Sequence, residues 1–159
     1  MVGKLRAAQD ARRDERFLIS ARTDACSTVG LADALARGEA YVAAGCDLLF
    51  VEGIKSAVDA DAITTQFRGR VPLVVNLLES GGAPFVDAAA AQEGGFALAL
   101  FPATAMGAAA YALRAAYRAL ASKGTSTEVT ERMVGLSGMN DIVGTTAFAE
   151  TIATYGDRT

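Results

Sequence analysis

The sequence contains no histidine. That removes the commonest general base and the commonest transition-metal ligand. Serine–histidine and cysteine–histidine nucleophile systems are excluded within one chain. Chemistry here must come from carboxylates, Lys, Arg, Tyr, or a metal held by oxygen. Cysteine is also scarce: Cys26 and Cys46 fall in different elements, and neither belongs to a C-x-x-C. A disulfide framework is not supported; both read as packing residues of a reduced, cytoplasmic protein. No apolar run is long enough to span a membrane, and the charged, amphipathic start MVGKLRAAQDARRDER has no apolar core of the secretory type. No basic stripe accompanies the net charge of −3, so nucleic acid is not an expected partner. The mixed-sign run Arg12-Arg13-Asp14-Glu15-Arg16 reads as a solvated helix end.

With 52% hydrophobic and 21% charged residues, the composition is that of an ordinary globular domain. Four short apolar runs stand out: FLISA (17–21), DLLFV (47–51), VPLVVNL (71–77) and FALALF (96–101). Each has strand length and is apolar nearly throughout, which suits strands buried on both faces of a parallel sheet. Helical patterns occupy the intervals. They fall within 4–16, over 31–44 with Gly45 behind it, over 58–67, around 86–92, and over 105–122 with Gly124 behind it. Gly38 sits inside the second of these, where it costs about 1 kcal/mol relative to Ala. The order α-βα-βα-βα-βα predicts right-handed crossovers. Residues 1–159 are expected to form one partial βα-barrel domain, with βα units over 1–124 and a helical tail over 125–159. Helices are expected in that tail at 128–134 and 140–155. A complete eight-unit barrel needs roughly 200 residues at minimum and does not fit in 159.

In βα folds, functional groups collect at the carboxyl ends of the strands. The first run leads into Arg22-Thr23-Asp24, the second into Glu52-Gly53, the third into Asn76 with Glu79 beyond, and the fourth into Pro102 and Thr104. Arg22 can grip a carboxylate or phosphate in two-pronged fashion, and Asn76 can donate to the same oxygens. Glu52 can orient Arg22, accept a substrate hydroxyl, or stand behind a metal. The set reads as a small-anion site. The plainer alternative is a βα turn in which Asp24 caps a helix or Arg22 merely pairs with Glu52. Glu79 is open between a site role and a structural one.

At these residues the sequence resembles the isocitrate lyase/phosphoenolpyruvate mutase superfamily. The resemblance is carried by FLISARTDA (17–25), GLADALARGEAYVAAGCDLLFVEG (30–53), VPLVVNLLESGGAP (71–84) and GFALALFPATAMGAAAYALRAAYRAL (95–120). Arg132-Met133 and Asp141-Ile142-Val143-Gly144 extend it into the tail. It implies the C-terminal half of a TIM-type (β/α)₈ barrel. It also implies a carbon–carbon lyase or decarboxylase acting on a small 2-oxo or 2-hydroxy acid through an enolate, with a catalytically inactive half-barrel as the alternative. Glu52 is the implied catalytic residue, and Arg22, Asn76, Glu79 and Pro102 the implied substrate-binding ones. Mg²⁺ is the family's expected cofactor. Its acidic ligands and the Lys-x-Cys-Gly-type catalytic loop are expected on earlier strands, and no ligand set is identified in this chain. Ala83 replaces a Thr or Ser frequent before the Pro. The expected partners are a small carboxylate and either further copies of the chain or a complementary half-barrel, with neither nucleic acid nor membrane.

Overall fold

The computed structural model describes residues 1–79, 82 and 84–156. The chain divides into two compact units, Met1–Met106 and Gly107–Thr159. The first unit holds four strands, β1 (Ser20–Thr23), β2 (Leu48–Val51), β3 (Leu73–Asn76) and β4 (Leu98–Leu100). They pair in parallel in the order β1-β2-β3-β4. Between and before them run α1 (Val2–Ala11), a one-turn α2 (Ala25–Thr28), α3 (Leu31–Ala43), α4 (Ala57–Phe67) and α5 (Ala88–Glu93). A sequential order with right-handed crossovers puts every helix on one face of the sheet, as on the wall of a barrel.

The core follows from that one-sidedness. Ala21, Leu49, Val51, Leu73 and Val75 point to the helices and join Ala34, Tyr41, Ala60, Ile63, Phe67 and Ala91 in one buried cluster. The strand alternation puts Arg22, Phe50, Val74, Asn76, Leu98 and Leu100 on the opposite face. There Leu98 and Leu100 remain 42% and 36% exposed.

Gly38 is explained by its neighbours. A Cβ at that position would stand 2.6 Å from Phe67 Cζ and 3.2 Å from Leu49 Cδ2. The helix-propensity cost allows α3 to approach the ring of a fully buried Phe67. Asp87 and Ser56 cap α5 and α4 by accepting from Ala90 N at 2.8 Å and Asp59 N at 3.1 Å.

Several boundaries differ from the sequence expectation. The first strand begins at Ser20, and Phe17 and Leu18 stand outside it, 71% and 56% exposed. The turn closed by Phe17 N–H on the Asp14 carbonyl holds them away from the sheet. Asp47 sets the start of the strand instead: its carboxylate accepts from Ile19 N at 2.8 Å and from Arg12 Nη1 at 2.7 Å. Pairing then continues through Arg22 and Thr23, because Glu52 N–H still donates to the Thr23 carbonyl at 2.9 Å.

The second unit contains α6 from Gly107 onward (α6 as a whole is Thr104–Lys123), a 3-10 turn (Thr127–Arg132), α7 (Leu136–Ile142) and α8 (Thr145–Tyr155). The single helix expected over 140–155 is broken at Gly144, whose φ of 70° lies in the left-handed region. The segment expected as a helix over 128–134 is the 3-10 turn. Ala119 and Val129 are buried, and Lys123 pairs with Glu128. Among the described residues no helix is long and apolar enough to cross a membrane.

Candidate active site

The rim is built by strand endings. Arg22 lies opposite Phe50 in the β1–β2 register, and its guanidinium carbon stands 5.1 Å from the centre of that ring. Two residues past Phe50, Glu52 falls on the same face, and Asn76 occupies the equivalent place on β3. Thr23, its neighbour in sequence, turns the other way. It is buried and accepts Ala25 N–H at 3.2 Å, which steers the chain into α2. Gly53 then turns out of β2 with a φ of 80°. A Cβ there would meet Ser27 Cβ at 2.7 Å, so the loop after β2 closes on α2 only with glycine.

Glu52 is the hub. Its Oε2 accepts from Asn76 Nδ2 at 2.8 Å and stands 3.5 Å from Arg22 Nη2. Arg22 donates more closely to Asp24, from Nη2 at 2.7 Å and from Nε at 3.2 Å. The Asp24 hydrogen bond is the main reason the guanidinium is held further above its ordinary range. One guanidinium therefore serves two carboxylates. Asp24 occupies the N-cap position of α2, but its side chain makes no capping bond. Its backbone carbonyl accepts from the Ser27 and Thr28 hydroxyls at 3.2 and 3.0 Å.

The structure thus brings Arg22, Glu52 and Asn76 together. Glu79 is held elsewhere on the rim, where its Oε1 accepts from the Thr104 hydroxyl. Pro102 is exposed, two residues past Leu100, which is registered against Asn76. Ala83 lies outside the described residues. Two neighbours were not singled out from the sequence. Phe50 underlies Arg22, and Lys55 lines a cavity of about 150 Å³ with Glu52, Ile54, Asn76 and Leu78. Neither cysteine belongs to the rim cluster. Burial pushes both thiols up, so neither is a ready thiolate.

Among the described residues no group of three His, Cys, Asp or Glu side chains could hold a metal ion. The rim carboxylates are also committed: Asp24 to Arg22, Glu52 to Asn76 and Arg22, and Glu79 to Thr104. Mg²⁺ needs oxygen ligands in near-octahedral array. This donor set does not fit it.

A parallel, singly wound βα sheet with a polar cluster at the carboxyl ends of its strands defines a barrel-type enzyme scaffold. The family model described as phosphoenolpyruvate phosphomutase matches residues 1–121, and the chain belongs to that family. It is 34% identical over 144 residues to 2,3-dimethylmalate lyase of Eubacterium barkeri, covering 91% of this chain and 49% of that one. A crystal structure of 2,3-dimethylmalate lyase superposes with a TM-score of 0.86 at 33% identity, covering 98% of this chain and 54% of the other. Phosphonopyruvate hydrolase in complex with oxalate and Mg²⁺ superposes with a TM-score of 0.81 at 26% identity, covering 98% and 55%. The chain spans about half the length of the curated relatives it matches.

Proposed function

We propose that this chain supplies the carboxylate-binding rim of a carbon–carbon lyase or decarboxylase. Its substrate is a small 2-oxo or 2-hydroxy acid that reacts through an enolate. The observation that carries the reading is the sharing of Glu52 Oε2 between Asn76 and Arg22. This holds an amide donor and a guanidinium side by side on one face, the arrangement that a carboxylate needs. Asp24, whose side chain is 58% exposed, is the partner of Arg22 that an incoming carboxylate replaces. Glu52 stays in place, orienting both donors and accepting the substrate's hydroxyl. Cleavage beside the carbonyl leaves an electron pair that becomes the enolate, and fixed donors aimed at that charge lower the barrier. Pro102 closes the far side of the rim, and Glu79 faces substrate through the Thr104 hydroxyl. In this reading the Mg²⁺ expected for the family takes its ligands from outside residues 1–159, and the protein works in the cytoplasm.

A second reading is favoured by the exposed Leu98 and Leu100 on the sheet's inner face. It makes the chain a catalytically inactive half-barrel that binds a small anion, another copy of itself, or a complementary half-barrel. On either reading residues 1–159 work as one partial barrel. An oxaloacetate assay separates the readings. The 159-residue chain alone should not exceed the metal-only background. Turnover should appear in the assembly that supplies the remaining βα units and should vanish with R22A. An assembly that binds acid without turning it over supports the second reading.

A further inference from the structure

We propose that Lys55 is the specificity-determining cation of this rim, taking the second carboxylate of a dicarboxylic substrate. The inference rests on the carboxylate-binding reading above and narrows it to a substrate class. Three observations support it. The cavity beside Glu52 and Asn76 has about 150 Å³, the size of a cavity that takes a ligand as large as benzene, which suits a small acid. Its only charged lining groups among the described residues are Glu52 and Lys55. Apart from these two and the Asn76 amide, the side chains that line it are apolar among the described residues, with Ile54 and Leu78 among them. Charge supplies the next step. Arg22 already faces both Asp24 and Glu52. A first substrate carboxylate replaces Asp24 and leaves the charge around the guanidinium unchanged. A second carboxylate would add a negative charge beside Glu52, and Arg22 has nothing left to offset it. Among the described residues, Lys55 takes part in no ion pair. It follows Glu52 by three residues on the β2–α4 loop, is exposed and is one of the residues that line the cavity. A compact, mobile ammonium is suited to meeting a distal carboxylate as a point charge.

The test is a pair of matched ligands, lactate and malate, which differ by one carboxylate. Binding of each to the full 159-residue chain is followed by amide NMR at fixed ionic strength, because exposed charge pairs are screened by salt. Wild type should prefer malate by about tenfold, the scale of one charge-assisted hydrogen bond. K55M should abolish that preference while leaving lactate affinity unchanged, and K55R should restore it. An unchanged malate-to-lactate ratio in K55M, with both acids still bound, overturns the role of Lys55 and leaves the carboxylate reading standing. Equal weakening of both acids in K55M also overturns the role in specificity. If wild type binds neither acid, the carboxylate reading fails and the inference fails with it.

Discussion

Asn76 Nδ2 donates to Glu52 Oε2 at 2.8 Å across the β2–β3 pair, and the same oxygen stands 3.5 Å from the guanidinium of Arg22. A single carboxylate thus orients two donors that come from strands on either side of it. Removing it should disorder both. E52A should weaken pyruvate binding about as much as R22A does, although in this reading Glu52 does not grip the carboxylate itself. E52Q keeps the shape and one acceptor, so it should retain part of the affinity. Isothermal titration with pyruvate distinguishes the three variants.

Asp24 competes with substrate for Arg22. D24N should therefore raise pyruvate affinity, by up to about fivefold given the ordinary worth of an exposed ion pair. If Asp24 instead only shapes the turn into α2, D24N should leave affinity unchanged or lower it. The same titration reads the sign.

Gly38 is a packing residue. G38A gains about 1 kcal/mol of helix propensity but drives a methyl into Phe67, and overpacking costs about 1–3 kcal/mol. Phe67 is fully buried and cannot swing away. The variant should be the less stable protein in urea unfolding. A stabilised G38A would mean that α3 and α4 separate more easily than their packing suggests.

Asp47 anchors the entry to β1 through Ile19 N–H and Arg12. D47A should cost about 1–3 kcal/mol, the usual price of leaving such partners unmade. Exchange of the Ile19 amide should accelerate with it, and this local readout separates loss of the anchor from general destabilisation.

Acid should weaken the fold in a defined window. Hydrogen bonds from Arg70 first, and from Gln66 second, lower the Glu39 carboxyl from 4.5 to about 2. A depressed folded-state value means stability that is present above the unfolded pKa and lost as the pH falls through the folded one. The Glu39 contribution should therefore fade between about pH 4.5 and 2. Asp47, also held low, mainly by the Ile19 amide, loses its share on the same side. Melting temperatures of wild type and E39Q should converge over that interval. Salt should shrink the gap above it, because the Glu39–Arg70 pair is exposed.

How far the sequence was legible depended on the kind of signal. β2 and β3 could be located because a parallel strand buried on both faces is an apolar run, and β1 and β4, which keep one face exposed, from their place in the same series of runs. The same property hid which residues point to the rim. In LLFV (48–51) every position is apolar, so nothing marks Phe50 as the one beneath Arg22. Arg22, Glu52 and Asn76 stood out because polar side chains follow apolar runs at strand ends. Lys55 did not, since a loop has no periodicity to place it near Glu52. The first strand was displaced by Asp47, a contact 28 residues away in sequence from Ile19. The one-turn α2 is too short to carry a periodic pattern. The break at Gly144 was written in the sequence, but an apolar pattern on both sides of it masked the stop.

The most direct measurement of the central claim is amide NMR of the chain during a pyruvate titration. The account predicts saturable shifts centred on Arg22, Glu52 and Asn76, absent in R22A and unaffected at the distant Glu39–Arg70 pair. Shifts that spare these three residues, or that persist unchanged in R22A, would contradict it.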